Sequence, residues 1–287
     1  MKKIFGELKL TWPKVIIAAV LIGIYCGLIG MNPKLTDTSF KDINVSFEVW
    51  ILFGILIIMN SKSNKDSALK CFVFFLISQP LIYLVQDFFN HSQLFNTYYR
   101  FWIIWTIACL PMGYFGYYLK KDKWWGLLIL SPIMLLVGYS LMGYYSECAF
   151  SFPRHLLTVI FCVATLIIYP LYIFKNKKIK RIGLIINSIL IVVMISIAII
   201  KPYIYETDVF SNSEEHPFND KYKVYFDEEK YGELSIVYDE NIEDWLLQAK
   251  FKRAGKTKFV LESPNGKKQT YELKIWRTKT DYKKIKE

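Results

Sequence analysis

The sequence predicts an all-α polytopic membrane bundle of about seven transmembrane helices followed by a small all-β domain. Three observations carry this expectation. Apolar runs recur that reach the roughly 17 to 25 residues needed to cross a bilayer. The 287-residue chain is 53% hydrophobic and 17% aromatic, with a positive mean hydropathy, more apolar than soluble domains of this size. After Tyr205 this composition stops, and short runs of alternating character begin.

The expected spans cover residues 14–31, 46–60, 68–88, 99–119, 124–145, 154–174 and 182–204. The first follows MKKIFGELKLTWPK and reads as an uncleaved helix, because its apolar run exceeds a signal-peptide core and no small-x-small site follows. The second, VSFEVWILFGILIIMN, is the shortest and carries Glu48 near its outer end.

Charge decides the count. With seven spans and the N-terminus inside, the cytoplasmic segments hold 15 Lys/Arg and the outer side of the membrane half holds five, Lys34, Lys41, Arg100, Arg154 and Lys201. Deleting the second span would place Lys120, Lys121 and Lys123 on the opposite side from Lys2 and Lys3, and the positive-inside bias would collapse. Trp124 and Trp125 at one interface, and Tyr98, Tyr99, Trp102, Tyr144, Tyr145, Tyr203 and Tyr205 at the other, read as aromatic belts. Pro80, Pro132 and Pro170 lie inside spans and predict kinks. Gly113 with Gly116, and Gly138 with Ser140 and Gly143, are spaced for close helix packing.

The expected organisation is therefore a transmembrane domain over 1–205, a polar linker over 206–221, an extracytoplasmic β domain over 222–277 and a charged tail over 278–287. Five runs rich in β-branched and aromatic residues lie in the third segment, among them GELSIVYD, KTKFVLES and KQTYELKIW. Ser263-Pro264-Asn265-Gly266 predicts a turn between the last two. The stretch 254–275, AGKTKFVLESPNGKKQTYELKI, resembles the end of bacterial immunoglobulin-like domains, with a Gly-Lys turn, a strand, an Asn-Gly turn and a last strand. The resemblance covers 22 residues and implies an Ig-like sandwich; a small barrel is equally compatible.

The formal charge is +11, yet from Asp208 onward 16 basic residues balance 16 acidic ones. The excess thus belongs to the membrane half, where it sets topology. No basic stretch interleaves with aromatics for base stacking, so nucleic acid is not an expected partner. Cys26, Cys71, Cys109, Cys148 and Cys162 form no CxxC pair, and only Cys148 is expected to be exposed.

Among polar residues, Asp87 and His91 sit four apart, which places both on one helix face. On the expected topology Asp87, His91, Arg100, Glu147, Arg154 and His155 all gather at the outer ends of spans three to six. Asp87, His91, Glu147 and His155 are candidates for acid/base catalysis or for binding zinc. Arg100 and Arg154 are candidates for holding a phosphate or carboxylate headgroup. Polar residues at helix ends also face water in any case, and no HExxH-type signature links these groups. Inside the hydrocarbon core the main polar groups are Gln79, Ser131 and Asn187. The scarcity of mid-membrane charge and the lack of an internal repeat weigh against an ion-coupled transporter.

The leading expectation is a non-enzymatic, multi-pass plasma-membrane protein, N-terminus cytoplasmic and without a cofactor. Its partners would be the lipid bilayer and an envelope polymer or membrane-protein partner bound by the β domain. The alternative is a membrane-embedded enzyme, with zinc as its possible metal, acting on lipid-linked or headgroup substrates at the outer leaflet. A small-solute transporter or channel ranks third.

Overall fold

The computed structural model describes residues 5–90, 94–214, 216–240, 242–277 and 279–285. The chain divides into a helical unit, Met1–Met142 with His155–Ile195, and a β unit, Gly143–Arg154 with Ser196–Glu287.

The helices are α1 (Trp12–Met31), α2 (Ser39–Val45), α3 (Phe47–Asn60), α4 (Asn64–Asn90), α5 (Leu94–Gly116), α6 (Gly126–Phe150), α7 (Leu156–Ile173) and α8 (Lys177–Ile200). Among the described residues, six stretches are long and apolar enough to cross a membrane. Five are α1, α4, α6, α7 and α8; the sixth, Ser39–Asn60, joins α2 to α3. The span expected over 46–60 is thus longer than its apolar core, because α2 extends it past a break at Ser46. Helix α5 has 23 residues, but Tyr98, Tyr99, Arg100, Trp102 and Trp105 dilute its hydropathy. Pro111 joins Pro80, Pro132 and Pro170 inside helices.

Helices α1 and α4 pack through glycine. A Cβ on Gly23 would fall 2.8 Å from the Ser78 carbonyl oxygen, and one on Gly27 would fall 2.9 Å from Val85 Cβ. This G-x-x-x-G pair lets two backbones approach where no larger residue fits. Gly113 of α5 meets the Ala68 backbone of α4 in the same way.

The β unit holds seven strands: β1 (Tyr205–Ser211), β2 (Lys223–Phe226), β3 (Gly232–Asp239), β4 (Asp244–Phe251), β5 (Gly255–Glu262), β6 (Lys268–Ile275) and β7 (Thr280–Lys284). They form two antiparallel sheets, ordered β1-β4-β3 and β2-β5-β6-β7. Their inward residues share one core that includes Phe210, Leu247, Phe251, Phe259, Tyr271 and Leu273. The turn expected at 263–266 closes the β5–β6 hairpin, with Gly266 at φ 78° and its N–H donating to Ser263 O. Gly232 has φ 143°, and a Cβ there would stand 2.1 Å from the Lys250 carbonyl oxygen. The β3–β4 contact therefore requires glycine.

Two strands lie where linker and tail were expected. In β1 the register shifts between Asp208 and Phe210, so Val209 and Phe210 are both buried. Such a bulge destroys the two-residue alternation by which strands are read. Strand β7, TDYKK, is a charged edge strand, a composition that edges use to resist further pairing.

The β unit also takes residues 143–154 from the chain before α7. Phe150 is buried in the β core, its ring meeting Tyr203 edge-on at 5.1 Å, and its carbonyl accepts from Ala254 N–H at 2.8 Å. Cys148, expected to be exposed, is buried here. Phe150→Ala in the full chain is expected to cost the β unit about 3–5 kcal/mol. Hydrogen exchange should show faster β4–β6 amides with unchanged protection in α1–α4.

Candidate functional site

Two polar arrangements stand out, one in each unit. In the β unit a groove of about 230 Å³ lies between residues 151–154 and the ends of β5 and β6. Arg154, Lys256, Lys274, Trp276 and Arg277 line it. The hairpin register sets Lys256 directly opposite Lys274. Like charges in that position repel, and among the described residues neither lysine has an ion-pair partner. The ring of Trp276 lies 4.5 Å from Lys274 Nζ and 4.9 Å from Lys279 Nζ. Arg277 Nη2 donates to Glu147 Oε1 at 2.6 Å. Asp281 stands opposite Lys274 on β7 without forming an ion pair with it, so four cations line a groove with no carboxylate among its lining residues, a setting suited to a bound phosphate or carboxylate.

In the helical unit, α2 is tied to α7 by a carboxylate. Asp42 Oδ2 accepts from His155 Nδ1 at 2.6 Å and from Thr158 Oγ1 at 2.9 Å. A carboxylate carries no proton to give, so the imidazole Nδ1 must be the donor. His155 is fully buried and holds φ 62° just before α7. A histidine in that conformation stores about 1–3 kcal/mol of strain, which surrounding contacts must hold.

The candidate residues therefore serve different partners. Asp87 accepts from the backbone N–H groups of Leu94 at 2.8 Å and Phe95 at 2.9 Å. It satisfies orphan donors at the start of α5, and its charge suits a helix N-terminus. Glu147 pairs with Arg277 and His155 with Asp42. Arg154 lines the basic groove, whereas Arg100 is exposed on α5. His91 lies outside the described residues. Among the described residues no three His, Cys, Asp or Glu side chains are grouped as a metal ion requires. His216, in the β unit, has Nδ1 3.1 Å from the Tyr271 hydroxyl, which burial pushes up to about 12.

Asp42, Lys256, Lys274 and Arg277 were not singled out in sequence. Asp42 sits in a short segment without apolar periodicity, where nothing marks it. The lysine pair was not readable from the turn: counting outward from 263–266 would set 256 opposite 273, and only the observed loop, which includes Lys267, brings Lys256 opposite Lys274. No protein-family model, curated protein or solved structure matches this chain.

Asp87→Ala should remove both bonds to the α5 terminus and cost about 1–2 kcal/mol. Faster amide exchange at Leu94 and Phe95, without loss of the rest of α4, is the expected signature.

Proposed function

We propose that the protein is a non-enzymatic, multi-pass plasma-membrane protein that presents its β unit on the outer face to bind an anionic envelope component. The observation that carries this reading is the basic groove, where Lys256 and Lys274 face each other, neither in an ion pair, beside Arg154, Arg277 and Trp276. An anion bridging those groups would relieve a repulsion that the fold otherwise sustains.

Orientation follows from the positive-inside bias: 15 Lys/Arg on one side against five on the other when α5 is counted as a seventh span. That places the N-terminus in the cytoplasm and the β unit outside. Two antiparallel sheets around one core, with the Asn-Gly turn closing the β5–β6 hairpin, support an Ig-like sandwich for the β unit. Such a module suits binding more than chemistry, and the buried His155 is poorly placed to meet a headgroup substrate.

The full chain in nanodiscs of zwitterionic lipid should bind fluorescent polyphosphate in a salt-dependent manner, read by anisotropy. The double substitution Lys256→Gln and Lys274→Gln should weaken binding roughly tenfold, about 1.4 kcal/mol, and flatten the salt dependence. Equal binding by the variant would remove the groove from the reading.

A further inference from the structure

The basic groove begins where a membrane helix ends. Helices α6 and α7 are each long and apolar enough to cross a bilayer, and only residues 151–155 join them. So short a connection cannot leave the membrane surface. At roughly 3.5 Å per residue it rises less than about 10 Å before it must return. A turn draws it in further, with Arg154 N–H donating to Ser151 O at 3.0 Å. The headgroup layer on each side of a bilayer is about 5–8 Å thick. Residues 151–154 therefore lie at headgroup depth, and Ser151, Phe152 and Arg154 form one wall of the groove.

The other wall is fastened at the same level. Ala254, just ahead of β5, donates its N–H to the carbonyl of Phe150, the last residue of α6, at 2.8 Å. Arg277, just past β6, donates to Glu147 in the last turn of α6 at 2.6 Å. Residues 143–154 belong to the β unit, so both walls lie within it. The strand ends that carry Lys256 and Lys274 are thus tied to a helix terminus at the bilayer surface. Among the described residues none of Arg154, Lys256 and Lys274 forms an ion pair. Beside these cations the ring of Phe152 is 68% exposed, which suits the boundary between headgroups and acyl chains.

We propose that the groove takes the phosphate of an anionic phospholipid from the adjoining leaflet, with Phe152 against the glycerol end of that lipid. The proposal rests on the reading of the groove as an anion site and narrows the anion to a lipid headgroup. Basic clusters at a membrane surface attract anionic lipid. A phosphatidylcholine headgroup carries its own ammonium, which the groove's cations repel; phosphatidylglycerol brings the phosphate without it.

Photo-crosslinking of the full chain tests this. Nanodiscs of phosphatidylcholine would carry a trace of phosphatidylglycerol or phosphatidylcholine bearing a diazirine near the glycerol, with adducts mapped by peptide mass spectrometry. The phosphatidylglycerol probe should label residues 151–154 and 274–277 at least threefold more than the phosphatidylcholine probe. Lys256→Gln with Lys274→Gln, both at exposed positions, should bring the two probes level. Lys223→Gln with Lys267→Gln removes the same charge near the 263–266 turn, at the other end of the β5–β6 hairpin, and should leave the preference intact. Equal labelling of wild type by both probes, or an equal loss in both double variants, overturns the proposal. If the probes label equally while polyphosphate still binds through Lys256 and Lys274, the groove takes a soluble anion: the lipid falls and the anion site stands. If polyphosphate binding also ignores the two lysines, both fall.

Discussion

A polar group enclosed among apolar helices must find its partner inside the protein, because no water is there to serve. The helical unit is organised by that constraint. Asp42 joins α2 to α7 through His155 and Thr158. Lys70 Nζ, buried in α4, reaches Asp66 and the Leu10 carbonyl, each at 2.8 Å. Asn187 of α8 donates to the Leu166 carbonyl at 2.5 Å. The bonds from Asp42 to α7, from Lys70 to Leu10 and from Asn187 to Leu166 each join separate elements, and each would leave a costly orphan if the packing slipped.

The same demand explains the loop acids. Asp87 takes the first N–H groups of α5, and Asp122 takes those of Lys175 and Asn176 ahead of α8 at 2.9 and 2.8 Å. Both carboxylates stand where a helix dipole favours negative charge. Asp87 looked like half of a metal or acid/base pair because its spacing from His91 suits that chemistry. In the structure Asp87 also holds the N–H groups at the start of α5, and His91 lies outside the described residues.

Against this background two places stand apart because their charges are not fully answered within the fold. In the β unit two lysines face each other across a hairpin beside two arginines, with Glu147 bound to Arg277 and Asp281 opposite Lys274. In the helical unit Glu48 is buried two residues past the helix break at Ser46. Elsewhere the polar groups read as structure, and the contrast is what makes these two places functional candidates.

Sequence by itself determined the two-part architecture, six of the apolar stretches, five of the strands and the turn at 263–266. Those features rest on local composition and periodicity, which the chain carries residue by residue. It did not reveal β1, whose bulge breaks alternation at Val209 and Phe210, nor β7, whose charge suits an edge. It placed Glu48 at a span's end because the break at Ser46 hid α2 from the apolar run. Only the tertiary structure decided which polar residues meet. Asp42 and His155 are 113 residues apart, and Glu147 and Arg277 are 130 apart. Such pairs arise from how helices and sheets pack, and no local pattern records them.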